Sequence, residues 1–264
     1  MLVVVVLALG GAYDLVGNAY ASARVANVDD AIGSIEKIDF TTTLFQVSGG
    51  LDPRSTSLEA KAFQSSVKQF VDSINTDRAN IAADLRRVRS AHNGLGNPAW
   101  LMLLNRGSLD AAGVRIAHAQ KSLDAAATIV DDMSQDGNFF SAYATALTDF
   151  EAYTSAEVAN DNTTAAAAAE SAKSDLATTL QLTNAPGLPA GLHDYVAAFE
   201  AVAADIVSAI NSVDEAAYQS AIGQLDTDST KLLTIDTSGF DASIEAFYQP
   251  MIVTYDQELK QASD

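Results

Sequence analysis

The sequence predicts an all-α protein, with long antiparallel helices in one or two four-helix-type bundles behind an apolar N-terminal anchor helix. Three observations favour this fold class. The 264 residues include 48 alanines, the residue with the highest helix propensity, but only 15 glycines and 5 prolines. Apolar residues recur at alternating intervals of three and four, which is the period of a helix with one buried face. No segment shows the alternation of a strand with comparable strength.

The first element is the apolar run of residues 2–9, Leu-Val-Val-Val-Val-Leu-Ala-Leu, which continues weakly to Val16 past Asp14. A helix that spans a membrane needs about 20 apolar residues, and this run is shorter. We expect residues 1–18 to be a membrane anchor or an export signal, and a buried N-terminal helix or strand is the alternative. The absence of cysteine excludes disulfides and thiolate metal sites, and it fits export.

Residues 19–160 are predicted to form the first helical bundle, which includes a stalk helix over 19–47. The periodicity predicts further helices over 57–91, from Leu109 through Met133, and over 138–159. Ser108 is the expected N-cap of the second of these, and Gly137 is expected to end it. The apolar stripe of that helix has no irregularity and consists of Leu109, Ala112, Ile116, Ala119, Leu123, Ala126, Val130 and Met133.

Residues 161–264 are predicted to form a second, strongly acidic bundle. Helices are expected over 163–183, from near Pro189 to about Val213, over 213–234, and around residues 244–259. Pro250 lies inside the last pattern and is expected to kink or break that helix. The alanine tract of residues 165–169 predicts a face that lets two helices approach closely, and a low-complexity linker is the alternative.

The charge is distributed unevenly along the chain, whose net charge is −19. Residues 1–121 contain 12 basic and 11 acidic residues, whereas residues 122–264 contain 3 lysines and 23 acidic residues. This balance argues against a nucleic-acid partner, since binding to phosphates relies on clustered lysine and arginine. A dense carboxylate surface is typical of proteins that stay soluble in salt, and a generic acidic secreted surface is the alternative.

The basic cluster of the sequence comprises four arginines on one predicted helix: Arg78, Arg86, Arg87 and Arg89. One interpretation is a solvated helix end whose arginines pair with Asp77 and Asp84. The other is a docking patch, either for the acidic C-terminal half of the same molecule or for an anionic ligand.

A possible calcium site lies in the run Asp132-Met133-Ser134-Gln135-Asp136-Gly137, which matches the first half of an EF-hand loop. Oxygen ligands would come from Asp132, Ser134 and Asp136. The bidentate glutamate that should follow at position 12 is Tyr143, so a weak site is the most that the pattern predicts. An Asp-rich turn of a helix is the alternative.

The densest apolar run after the N-terminus extends from Pro98 to Leu104 and contains the one tryptophan. We expect a short helix that closes one end of a bundle. The alternative is an exposed patch for a partner or a membrane surface, formed by Trp100, Leu101, Leu103 and Leu104.

These features together resemble the extracytoplasmic parts of membrane-anchored helical proteins of bacteria or archaea. The resemblance is carried by the apolar N-terminus, the stalk over 19–47 and the Ala-, Asp- and Thr-rich helices beyond it. A further stretch resembles helical hairpins of exported proteins, through Pro186, His193, Tyr195, Phe199, Asp214 and Leu225. The layout is similar to chemoreceptor and sensor-kinase ectodomains, which implies a location outside the cytoplasm but transfers no functional residue.

No motif indicates an enzyme, since His-Glu-x-x-His, Gly-x-Ser-x-Gly and the glycine-rich phosphate loops are absent. We predict a non-enzymatic, membrane-anchored extracytoplasmic bundle that acts as a binding or scaffolding domain without a cofactor. The alternative is an ectodomain that senses a small molecule between helices near Arg78–Arg89, and a further alternative is a membrane-active helical protein. The expected partners are the membrane, through the N-terminus, and an unidentified protein or small molecule.

Overall fold

The computed structural model describes residues 2–43, 60–96 and 106–264, with side chains from residue 16 onward. No strand occurs in these residues, so the predicted all-α class is confirmed. The long helices are α1 (Leu2–Gly33), α2 (Ala60–Leu95), α3 (Arg106–Val158), α4 (Asn162–Leu182), α5 (Gly191–Ile210), α6 (Glu215–Thr234) and α7 (Phe240–Ser263). The predicted patch of Trp100, Leu101, Leu103 and Leu104 lies outside the described residues.

The chain divides into two compact units, and neither is continuous in sequence. Unit 1 consists of residues 1–38, 76–130 and 250–264, and unit 2 consists of residues 39–75 and 131–249. Helices α2, α3 and α7 therefore each contribute residues to both units. The boundary predicted near residue 160 falls inside unit 2, in the turn between α3 and α4.

Unit 1 is assembled from α1 and from parts of α2, α3 and α7. Arg115 of α3 connects two of its neighbours, because its Nε donates to the carbonyl oxygen of Ala262 at 2.9 Å and its Nη1 donates to Asp29 at 2.8 Å. Ser122 donates to the carbonyl oxygen of Tyr255 at 2.9 Å. The order of these contacts shows that α3 and α7 run antiparallel here.

The apolar side chains that fill unit 1 follow the predicted helical stripes. The buried positions share the spacing of three and four residues along each helix. Their side chains pack against one another in the core of the unit. They include Val28, Ile32, Ile81, Val88, Ala112, Ile116, Ala119, Leu123, Ala126 and Tyr255.

Unit 2 has an aromatic core between α2 and α3. Phe63 lies edge-on to Tyr143 with 6.1 Å between ring centroids, and Phe70 lies edge-on to Phe140 at 5.8 Å. Such edge-to-face pairs stabilise the packing beyond the area that they bury. All four rings lie in the core, at 2% exposure or less.

The alanine tract is part of a helix and is not a linker. Asp161 caps the N-terminus of α4 by accepting a hydrogen bond from the backbone nitrogen of Thr164 at 3.1 Å. Ala165, Ala169 and Ala172 are buried. Ala169 belongs to a core cluster with three apolar residues of α5, which are Val202, Ile206 and Val207.

The prediction that Gly137 ends a helix is wrong, because α3 continues from Arg106 to Val158. The glycine serves close packing instead. A Cβ atom at this position would lie 3.2 Å from Cγ2 of Val71 and 3.6 Å from Cε1 of Phe70, on α2. Gly137 also follows Met133 by four residues and precedes Phe140 by three, so the buried stripe continues through it.

Pro250 was expected to kink or break the last helix, and a break does not occur, since α7 extends through it to Ser263. A proline removes one helical hydrogen bond, but tertiary packing on both sides outweighs this cost here. Tyr248 and Tyr255, on either side of the proline, are both buried at 1% exposure or less.

The predicted stalk helix over 19–47 is too long, because α1 ends at Gly33. Directly after this end, the hydroxyl group of Ser34 donates to the carbonyl oxygen of Ala31 at 2.9 Å. A separate helical turn covers residues 40–43. In the part of the chain that the structure describes, no helix combines the length and the apolar character needed to cross a membrane.

Candidate functional site

A cleft of about 680 Å³ opens between α1 and α2 in unit 1. The two helices run antiparallel beside it, since Arg24 of α1 lies against Gly94 near the end of α2, and Glu36 just after α1 is electrostatically coupled to Asp84. The described lining residues are Arg24, Asn27, Asp30, Ala31, Ser34, Arg86, Arg87, Ser90, Ala91 and Gly94.

The cleft exists because the facing positions of the two helices carry small side chains. On α1 and its end these are Ala31 and Ser34, and on α2 they are Ser90, Ala91 and Gly94. Larger apolar residues at such positions would fill the space between the helices, as they do elsewhere in this unit. The long polar side chains of the lining therefore surround a space that the small side chains leave unfilled.

Arg24 is held in place by two neighbours. Its Nη2 donates a hydrogen bond of 2.6 Å to the hydroxyl oxygen of Tyr20, one turn earlier, and its guanidinium carbon lies 4.8 Å from the centre of that ring. Its Nη1 would lie only 3.0 Å from a Cβ atom at Gly94, so the guanidinium group occupies the space that the glycine leaves free. Arg24 is thus fixed at the edge of the cleft.

Arg87 has an ionic partner within its own helix. Its Nη1 lies 2.5 Å from Oδ1 of Asp84, whose side chain is only 8% exposed. Burial raises the pKa of Asp84, and the charge and hydrogen bond of Arg87 act against that rise. Part of the positive charge of Arg87 is therefore compensated by Asp84, as one interpretation of the sequence proposed.

Arg86 is the more available of the two neighbouring arginines. Its side chain is exposed at the cleft, and within the described ranges no carboxylate forms an ion pair with it. Arg24 likewise has no carboxylate partner there. The lining thus contains two guanidinium groups without an ion-pair partner. Guanidinium groups bind carboxylate or phosphate through paired N–H donors.

The structure brings together only two of the four arginines that the sequence singled out. Arg86 and Arg87 line the cleft, whereas Arg78 and Arg89 are exposed on α2 outside its lining. Arg24 and Asp30 were missed because they belong to a different helix. The one local signal was the spacing of Tyr20 and Arg24, which places an aromatic ring and a cation four residues apart on one helix face.

The three predicted calcium ligands lie inside α3, where no loop forms. Residues two apart on a helix point in nearly opposite directions, so Ser134 is on a different face from Asp132 and Asp136. Asp136 is buried at 1% exposure and accepts a hydrogen bond from Tyr248. Across the described residues, no group of three or more acidic, histidine or cysteine side chains could hold a metal ion.

Two histidines of the sequence have structural partners. Nδ1 of His118 lies 2.6 Å from Oε2 of Glu258, and this pair joins α3 to α7 in unit 1. Nδ1 of His193 lies 2.9 Å from the hydroxyl oxygen of Thr183, and this pair joins the start of α5 to the end of α4 in unit 2. The first contact joins two helices and the second joins two helix ends. Neither histidine lines the cleft.

Comparisons with protein-family models, with curated proteins and with solved structures give no match to this chain.

Proposed function

We propose that this chain is a non-enzymatic binding domain that takes a small anionic ligand into the cleft between α1 and α2. The observation that carries the proposal is the presence of two uncompensated guanidinium groups, Arg24 and Arg86, at one cleft of about 680 Å³. Clefts of roughly 300–1,000 Å³ are typical of small-molecule sites. The four helical segments of unit 1 would form the bundle that holds this site.

The surroundings of the cleft support an anion rather than a neutral ligand. The chain as a whole carries a net charge of −19, whereas residues 1–121, which include both helices of the cleft, contain 12 basic and 11 acidic residues. An anion at this place would meet positive charge and the serine hydroxyl groups of the lining. The acidic remainder of the surface would repel the same anion, which favours this cleft over other places.

The proposal is tested by titrating the full chain with inorganic phosphate and with butyrate at low ionic strength, by calorimetry. Loss of one charged hydrogen-bond donor costs about 1.5–3 kcal/mol, which corresponds to roughly 10- to 100-fold in Kd. We expect Arg24→Gln and Arg86→Gln to weaken binding of one or both anions by that factor. Arg89→Gln is the matched control, since Arg89 is exposed on the same helix but does not line the cleft.

Two results would contradict the proposal. One is the absence of binding of either anion to the wild-type chain, which would favour a scaffold whose partner is a macromolecule. The other is an equal loss of affinity in Arg86→Gln and Arg89→Gln, which would indicate attraction by net charge alone. The membrane-anchored extracytoplasmic location stays a prediction, and binding to the cleft does not depend on it.

A further inference from the structure

We infer that the ligand of the cleft is a zwitterion, whose anionic group is bound by Arg24 and Arg86 and whose primary ammonium group is bound at Asp30. This inference rests on the proposed function of the cleft as a site for a small anion. It adds the chemical class of the ligand, and it assigns a role to an acidic residue that a site for a plain anion would not need.

Asp30 is part of the cleft wall. It follows Asn27 by three residues and precedes Ser34 by four, so it lies on the side of α1 that faces the opening, and it belongs to the lining. Its backbone carbonyl accepts a hydrogen bond from the backbone nitrogen of Ser34 at 3.0 Å. In the chain from residue 16 onward, as far as it is described, no lysine, arginine or histidine forms an ion pair with its carboxylate.

A carboxylate at this place would weaken binding of a simple anion. The negative charge of Asp30 opposes the attraction exerted by the two guanidinium groups across the same cleft. A ligand that carries a positive charge beside its anionic group converts this repulsion into an attraction. The cleft therefore offers charges of both signs to one bound molecule.

The groups beside Asp30 favour a primary ammonium over a quaternary one. An ammonium group with three N–H donors needs oxygen acceptors, and Asn27 and Ser34, which line the same cleft three residues before and four residues after Asp30, carry an amide oxygen and a hydroxyl oxygen. Quaternary ammonium groups are instead recognised by aromatic faces, and none of the described lining residues is aromatic.

The test uses two pairs of probes that differ only in the ammonium group: 4-aminobutyrate with butyrate, and O-phosphoethanolamine with ethyl phosphate. Each is titrated into the full wild-type chain and into Asp30→Asn. We expect the wild type to bind the zwitterion of at least one pair more tightly than its partner. We expect Asp30→Asn to weaken zwitterion binding about tenfold and to leave the plain anion unchanged or bound more tightly. The pair that responds distinguishes a carboxylate from a phosphate ligand.

The control variant is Asp110→Asn, which changes the net charge equally. Asp110 is exposed in the same unit, with a side-chain exposure of 72%, and does not line the cleft. Its substitution should leave the preference between zwitterion and anion unchanged.

Three outcomes would overturn the inference. If Asp30→Asn strengthens binding of zwitterion and anion alike while Arg86→Gln still weakens it, the site for an anion stands and its preference for a zwitterion falls. If Asp110→Asn removes the preference as fully as Asp30→Asn, the preference is an effect of net charge. If the wild type binds none of the four probes, the inference and the proposed function both fail.

Discussion

Tyr248 donates a hydrogen bond of 2.5 Å to Oδ2 of Asp136, which connects α7 to α3 within unit 2. Both side chains are buried, and Oδ1 of Asp136 has no partner among the described groups. Burial raises the pKa of Asp136 to about 7, the Tyr248 hydrogen bond acts against that rise, and the charge of Asp132 adds to it. This carboxyl group is therefore close to its protonation midpoint at neutral pH.

We predict that Asp136 makes unit 2 less stable as pH rises from about 4 to about 7. The folded protein retains the proton over this range, whereas the unfolded chain releases it near its ordinary pKa of 3.8. Asp136→Asn removes the titration and preserves the shape. Its gain in unfolding free energy over the wild type should be near zero at pH 4 and on the order of 4 kcal/mol at pH 8.

Urea denaturation of both proteins at pH 4, 6 and 8 measures this gain. Asp226→Asn serves as the control, because Asp226 is an exposed aspartate of α6 in the same unit. A gain for Asp136→Asn that has the same size at all three pH values would contradict the prediction.

We predict a second pH effect from two pairs of facing aspartates in unit 2. Burial, with hydrogen bonding to and repulsion by Asp175, raises the pKa of Asp149, and Asp228 has the same effect on Asp205. Asp175→Asn should raise the melting temperature at pH 7.5, because it removes a like charge, and should have a smaller effect at pH 4, where protonation reduces the repulsion between the two carboxyl groups. A melting temperature that shifts equally at both pH values would show that charge is not the cause.

We predict that Gly187→Ala destabilises the protein strongly. Gly187 has φ of +86°, and an added Cβ would lie 2.8 Å from Cε2 of the buried Tyr248 ring. Both the backbone strain and the steric overlap oppose the folded state, so we expect a loss of about 2–4 kcal/mol. Gly223→Ala is the contrasting variant, since a Cβ there meets no atom within 4 Å and α6 should gain up to about 1 kcal/mol. Urea denaturation of the two variants distinguishes them, and a loss in both would refute this explanation.

We predict that Gly94→Ala weakens anion binding without loss of stability. The added methyl group would displace the guanidinium end of Arg24 from the place where Tyr20 holds it, while helix propensity favours alanine. Phosphate or butyrate titration should show a Kd several-fold weaker, and thermal denaturation should show an unchanged or higher melting temperature. Gly113→Ala is the control, because its nearest atom would be Cδ1 of Leu95 at 4.0 Å. Unchanged binding in Gly94→Ala would show that Arg24 does not contact the ligand.

The helical class could be predicted because alanine content and the three-four rhythm report on local structure, which extends over a few residues. The helix ends were harder to predict. Gly137 and Pro250 are typical helix terminators, yet one fits against Phe70 and the other lies between two buried tyrosines. Tertiary packing decides whether a helix ends at such a residue. The local sequence does not show which residue of another helix packs against it.

Only the part of the candidate site that is local in sequence could be predicted. Arg86 and Arg87 are adjacent in sequence, so their cluster was visible, whereas Arg24 and Asp30 reach them only through the antiparallel pairing of α1 with α2. The spacing of Asp132, Ser134 and Asp136 matched a calcium loop, but the buried stripe continues through this segment and makes it helical. Oxygen atoms that would converge in a loop are then separated around the helix.

The division of each unit into several chain segments has a consequence for genetic recombination and for engineering of such a protein. The polypeptide passes between the two units after Ile38, Asn75, Val130 and Gln249. A single genetic cut, such as one at residue 160, would remove residues 250–264 from unit 1 and most helices of unit 2. Recombination could therefore not move either unit as one continuous segment, and a gene for unit 1 alone would require its three separate segments to be rejoined.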